Sequence, residues 1–314
     1  RIYTTVKDIS SETTFVVGYE KDAIIAETES FDGTIHIAEQ KKAIGTSDAV
    51  KSALPSITKP CNVLVLYGDV PLIKQDTLEK LITETKDGLT ILSTIIDSPH
   101  GYGRVKKDKE GYAQAIVEEK DASDSEKQIK EVFTGILCCK KELLEDAINE
   151  VGNDNAAGEY YLTDIVSISS SKGYKIKTCV MSNDEVKGAN TKTELAELEE
   201  IYRKMNAEDL LQKGVTLSDK SRVDVRGTIS VGKDCHIDVN VIFDGNIVLG
   251  NNVSIGPNTI LEDVEIGDDS TIEAFSHIVS SKVGNNCSIG PYARLREGSH
   301  IEDDAKIGNF VETK

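Results

Sequence analysis

From about residue 220 onward, one apolar position returns every six residues: Val231, Ile237, Phe243, Leu249, Ile255, Leu261, then Ile266, Ile272, Ile278, then Val283, Ile289, Leu295, Ile301 and Ile307. Two steps of five, Leu261 to Ile266 and Ile278 to Val283, interrupt an otherwise strict register. Glycine follows at Gly232, Gly250, Gly256, Gly267, Gly284, Gly290 and Gly308, so the unit reads [V/I/L]-G-x-x-x-x. A unit this short cannot bury its own apolar face, and successive units must stack to do so. The architecture it dictates is a parallel β-helix with three units to each coil. Such a solenoid is a scaffold, and function has to be argued from sites upon it or beside it.

The chain before the repeat follows another rule. Between about residues 13 and 190, short apolar runs ("TFVV", "NVLVL", "GLTILSTII", "AIVE", "GILCC", "YKIKTCV") alternate with helix-like stretches such as "DTLEKLITET" and "KELLEDAINEV". This alternation predicts an α/β domain with a mainly parallel sheet and helices on both faces. The stretch "AELEEIYRKMNAEDLLQKG", Ala196 to Gly214, reads as a linking helix, because Leu195, Leu198, Tyr202 and Met205 keep a 3-4-3 spacing and form one apolar stripe. The expected divisions are 1–192, 193–214 and 215–314.

Composition removes several classes of partner. A formal charge of -18 argues against a nucleic-acid or anionic-membrane surface, which demands clustered Lys and Arg. A small anionic substrate stays compatible if local cations meet it. No run of about 18 apolar residues suggests a membrane span. The six cysteines show no CxxC pairing and are expected to be small buried apolar residues. With no leader-like opening, a reducing cytoplasm fits best. The chain opens on Arg1 and closes on "GNFVETK" in mid-repeat, so a fragment truncated at both ends is expected.

Five stretches carry candidate chemistry. In "LVLYGDVPLI" (Leu64 to Ile73) an apolar strand ends in a carboxylate, and ligands of open parallel sheets gather outside the carboxyl ends of strands. Asp69 stands at such an end, Gly68 removes the side chain that would block approach, and Tyr67 adds a ring and a hydroxyl. "AEQKKAIGTSDA" offers the amide of Gln40 and the Gly45-Thr46 pair, suited to a base or ribose. "PHGYGRV" is a glycine-hinged loop in which Gly103 allows close approach, and "AIVEEKDA" presents Glu118 at a strand end, where it can accept paired sugar hydroxyls. "VKGAN" places the carboxamide oxygen of Asn190 at the end of the sheet domain.

Taken in order, "LYGDVPLI", "GYGRV", "IVEEKDA", "TGIL", "GEYYLTD" and "VKGAN", followed by a hexapeptide β-helix, resemble one family across essentially the whole chain. It is the bacterial bifunctional UDP-N-acetylglucosamine pyrophosphorylase / glucosamine-1-phosphate N-acetyltransferase. The resemblance implies a Rossmann-like nucleotidyltransferase domain and then a left-handed parallel β-helix acetyltransferase domain. The implied substrates are UTP, N-acetylglucosamine 1-phosphate and glucosamine 1-phosphate, with acetyl-CoA as acetyl donor, in cell-wall precursor synthesis. By the same resemblance Gln40, Gly45, Thr46, Tyr67, Gly68 and Asp69 match nucleotide contacts, Gly103 and Glu118 match contacts to the sugar nucleotide, and Asp69 and Asn190 match Mg²⁺ ligands. Arg296 and Lys314 match cationic contacts to the sugar phosphate in the β-helix, and a homotrimer is implied.

Three departures shape the expectation. The family's "LAAGxGTRM" loop and a following phosphate-binding lysine have no counterpart, so the triphosphate is expected to lack its cradle of backbone amides. Phe133 stands where the family has a substrate-contacting asparagine before "TGI". The family's histidine base and acetyl-CoA contacts fall beyond Lys314, and His236, His277 and His300 lie in ordinary repeats. The chain is therefore expected to be impaired in both activities, with a weakened trimer. Two other readings stay open: another sugar-1-phosphate nucleotidyltransferase, or a non-catalytic β-helix scaffold.

Overall fold

The protein is described by a computed structural model covering residues 1–314 except Glu20, Asp87, Asn190 and Lys314. It divides into two compact units, Arg1–Glu194 and Leu195–Lys314.

In the first unit β1 (Thr13–Val17) and β2 (Ile35–Glu39) form a parallel pair. The larger sheet contains β3 (Asn62–Val65), β4 (Leu89–Ile95), β5 (Arg104–Lys107), β6 (Ala113–Val117), β7 (Glu131–Lys140) and β8 (Lys177–Met181). Its order is β6-β5-β7-β4-β8, with β3 also on β7. Strands β3, β4, β5 and β8 run one way, which is the mainly parallel direction expected. Pairing is nevertheless mixed, because β7 runs against β3, β4 and β5, and β6 runs against β5. Alternate residues of β7 enter opposite apolar layers: Leu137 and Cys139 on one face, Ile136 and Cys138 on the other. Helix Gln75–Glu84 covers the second face with Leu78 and Leu81. Helices Lys141–Glu150 and Asp164–Ser171 cover the first.

Strand β3 departs from the sequence reading. "NVLVL" is apolar on both faces, as suits a strand buried under helices, yet Asn62 is exposed and Val63 and Leu64 are half-buried. Among the described residues β3 pairs with β7 alone, so its far edge lacks a covering strand. Five of the six cysteines are buried and free, as expected, and Cys61 is exposed.

The second unit is the left-handed parallel β-helix. Eleven of the fourteen register residues, Ile237 through Leu295, are fully buried, while Val231, Ile301 and Ile307 pack half-buried against the same core. Bridges run Ile237 to Ile255, Ile272, Ile289 and Ile307, and the other two faces repeat this. A five-residue step shortens its coil, so Ile255 pairs 17 residues ahead with Ile272, whereas Ile237 pairs 18 ahead with Ile255. The third residue after most register positions turns the corner in a left-handed conformation, a duty Asn and Asp accept readily: Asn240, Asn252, Asn258, Asp269, Asn286 and Asp304; after Phe243, Leu261 and Ile278 the second residue, Gly245, Asp263 or Ser280, does so instead. Phe275, Tyr292 and Phe310 hold the third position and stack in an exposed ladder with ring centroids 5.0 and 5.1 Å apart. Helix Lys192–Gln212 carries Leu210 into the β-helix core. Its expected stripe is only partly buried, since Leu195 stays exposed and Tyr202 and Met205 are half-buried.

Candidate active site

The site of the α/β unit begins where β3 ends. Tyr67 follows that strand and lays its ring against Gly135 of β7, a residue with φ +85°. A Cβ at Gly135 would strike the ring, so both the backbone and the neighbour require glycine. Burial pushes the Tyr67 hydroxyl up to about 12, against the lowering effect of its hydrogen bond with Thr46. At neutral pH it is therefore an uncharged hydroxyl. Gly68 and Asp69 are exposed, and nothing occupies the space where a Gly68 side chain would lie.

Gln40 follows β2, anchored by its N–H to the Val17 carbonyl at 2.9 Å. Its Nε2 donates to the Gly45 carbonyl at 3.0 Å and to Asp48 Oδ2 at 3.1 Å. Both amide protons are spent inside the protein, so a contact to a nucleotide falls to Oε1. Gly45 has φ +138° and presses on the Tyr160 backbone, where no Cβ fits. Thr46 opens helix Thr46–Ala53, and its Oγ1 accepts the Leu162 N–H at 3.0 Å. These contacts bring "GEYYLTD" against the Gly45-Thr46 turn.

Glu118 stands just past the end of β6. Its Oε1 accepts the Thr163 hydroxyl at 3.0 Å. A Cβ on Gly103 would crowd Ile116 and reach within 3.4 Å of the same Oε1, so Gly103 lies beside this carboxylate. Burial raises the pKa of Glu118, Asp121 and Asp164 add to the rise, and the Thr163 hydrogen bond opposes it. Asp164 is raised as well, first by burial and then by Asp121. Thr163, Asp121 and Asp164 were not singled out in the sequence, although each lies in a quoted motif.

Asp69 is joined to the segment before Asn190: its carbonyl accepts the Ala189 N–H at 3.1 Å, and Gly188 lies beside its carboxylate. Asn190 itself lies outside the described residues. Among those described, no group of three or more His, Cys, Asp or Glu could hold a metal. One exposed carboxylate, that of Asp69, instead suits Mg²⁺, which takes one or two protein oxygens and completes its octahedron with phosphate and water. The donor chemistry therefore fits Mg²⁺.

Phe133 is 6% exposed and belongs to the core that holds Val105 and Ile116. Its contribution to the site is its backbone, whose N–H donates to the Gly103 carbonyl at 2.9 Å.

On the β-helix, Arg296 is exposed and paired with Glu312, Nη2 at 2.7 Å and Nε at 2.9 Å, while Arg294 Nη1 lies 3.6 Å from the same carboxylate. Arg294, which the sequence reading passed over, is the register neighbour of His277. Two guanidinium groups sharing one carboxylate leave a local positive charge on an acidic protein. Lys314 lies outside the described residues.

Fold and site together define a nucleotidyltransferase domain joined to a hexapeptide β-helix. Residues 10–185 match the nucleotidyl transferase family model, and residues 220–312 match that of the GMPPB C-terminal domain. The bifunctional protein GlmU of Marinobacter nauticus is 43% identical over 99% of this chain and 68% of its own length. The GlmU of Burkholderia vietnamiensis is 43% identical over 97% of this chain and 67% of its own. Among solved structures, a nucleoside-diphosphate-sugar pyrophosphorylase from Vibrio cholerae is 16% identical, covers 62% of this chain and 83% of that one, and gives a TM-score of 0.49. The chain belongs to the family of the bifunctional protein GlmU, and it is a transferase.

Proposed function

We propose that the α/β unit transfers a uridylyl group from UTP to N-acetylglucosamine 1-phosphate, giving UDP-N-acetylglucosamine and pyrophosphate, and that the β-helix serves acetyl transfer from acetyl-CoA to glucosamine 1-phosphate. The reading rests on family membership and on one observation. An unbroken run of contacts links Gln40 to Gly45, the Gly45-Thr46 turn to Tyr160 and Leu162, Thr46 to Tyr67, and Thr163 to Glu118 and Gly103. Gln40 Oε1 and the Gly45-Thr46 turn are assigned to the uridine, Tyr67 and Gly68 to the nucleotide beside Asp69, and Glu118 with Gly103 to the sugar. The sugar-phosphate oxygen attacks the α-phosphorus in line and pyrophosphate leaves, a displacement that needs positioning and charge stabilisation rather than a protein nucleophile.

Asp69 and Asn190 would hold Mg²⁺, which when bound neutralises the phosphates. Asp69 is fixed for this through its carbonyl, and Tyr67 stays a neutral hydroxyl that does not repel the nucleotide. Arg296 and Lys314 are assigned to the sugar phosphate of the second reaction. The working protein is read as a cytoplasmic homotrimer; no described helix is long and apolar enough to cross a membrane.

Calorimetric titration of UDP-N-acetylglucosamine with and without Mg²⁺ tests the first site. Mg²⁺ should tighten binding to the unmodified protein by about tenfold or more, and Asp69→Ala should erase that gain, as expected for losing a charged ligand. Equal Mg²⁺ dependence in Asp69→Ala would remove Asp69 from the metal site.

A further inference from the structure

Glu119 follows Glu118 and does something different. Its Oε2 accepts the Gly101 N–H at 3.1 Å and Arg104 Nη2 at 2.7 Å, while Arg104 Nη1 donates to the Tyr102 carbonyl. One carboxylate and one guanidinium thus close the turn Gly101–Arg104 into a ring tied to the end of β6. Gly101 has φ +82°, so the turn is held in a conformation that few residues adopt. Arg104 is only 1% exposed, and its Nε is buried without a partner among the described residues. A buried guanidinium with an unsatisfied donor is a poor way to gain stability, since apolar residues of similar volume often serve as well or better. Its placement is explained by what it holds. The ring holds Gly103 beside the Glu118 carboxylate, where an added Cβ would come within 3.4 Å of Oε1.

We propose that Glu119 and Arg104 are a positioning pair that fixes the Gly101–Gly103 turn against Glu118 and thereby sets the sugar half of the site, leaving the uridine half to other elements. This rests on the assignment of Glu118 and Gly103 to the sugar. The uridine residues Gln40, Gly45, Thr46 and Tyr67 are anchored through Asp48, Tyr160, Leu162 and Gly135, none of which belongs to the clamp. Charge-assisted hydrogen bonds are the strong ones, so loss of the carboxylate should release the turn.

The test compares UDP with UDP-N-acetylglucosamine, titrated with Mg²⁺ into the protein and its Glu119→Ala, Glu119→Gln and Arg104→Lys variants. Glu119→Ala should weaken UDP-N-acetylglucosamine by about tenfold and UDP by less than about twofold. Glu119→Gln keeps an acceptor for Gly101 and should fall between. Arg104→Lys loses the fork and should show the same selective loss. Glu119 is part-exposed, so its variants keep the test open if Arg104→Lys fails to fold. Equal weakening of both ligands, or of neither, in Glu119→Ala would overturn the clamp alone. An unmodified protein that binds neither ligand would overturn the site assignment and the clamp with it.

Discussion

Glu118 carries a proton to higher pH than an exposed glutamate, because burial disfavours its charged form and Asp121 and Asp164 repel it further. Its folded-state pKa lies above the ordinary 4.5. The folded protein therefore holds this proton after the unfolded chain has released it. The contribution is complete below the unfolded pKa and is lost as pH rises through the folded one. Glu118→Gln should accordingly flatten the fall in melting temperature as pH rises above the ordinary 4.5, read by thermal unfolding across a pH series. An unchanged slope would place the titration elsewhere. At this scale the sequence showed which residue types matter but not how they are spent. Nothing in "AEQKKAIGTSDA" says that both amide protons of Gln40 are taken by Gly45 and Asp48. Nothing in "GEYYLTD" says that Thr163 reaches back to Glu118, 45 residues away in sequence.

The β-helix was legible because one register position per six residues fixes face, coil and neighbour together. Corner chemistry was less so. Asn251, Asp268, Asn285 and Asp303 form a ladder in which each backbone N–H donates to the side chain one coil on: Asn251 to Asp268 at 2.7 Å, Asp268 to Asn285 at 2.8 Å, and Asn285 to Asp303 at 2.7 Å. Amide and carboxylate alternate, so no two carboxylates are adjacent. Asn285→Asp would place three in a row and should cost about 1 kcal/mol at neutral pH, shrinking as salt is added. Urea unfolding at low and high ionic strength measures this, and a salt-independent stability equal to that of the parent would contradict it. In the α/β unit, β5 was missed because "RVKK" carries charges, and a buried Arg104 reads as surface. Helix Asp164–Ser171 was missed because "DIVSISSS" is rich in serine, which competes with the helix for its own backbone. The reversal of β7 leaves no trace in composition or period, since a strand buried on both faces looks alike in either direction.

Across the molecule the charge is -18, and Asp69, Glu118, Asp121 and Asp164 of the candidate site are part of that excess. Nucleotides and sugar phosphates are anions that these carboxylates repel, and the proposed Mg²⁺ at Asp69 would offset that repulsion. The acetyl-transfer half is differently built, with Arg294 and Arg296 sharing Glu312 on the β-helix. The most direct measurement is anomalous scattering from a crystal grown with Mn²⁺ in place of Mg²⁺ and with UDP-N-acetylglucosamine. The expected result is a single strong peak at about 2.2 Å from an Asp69 carboxylate oxygen, in contact with the diphosphate, with the uridine beside Tyr67 and the sugar against Glu118. A peak away from Asp69, or a nucleotide seated elsewhere, would contradict it.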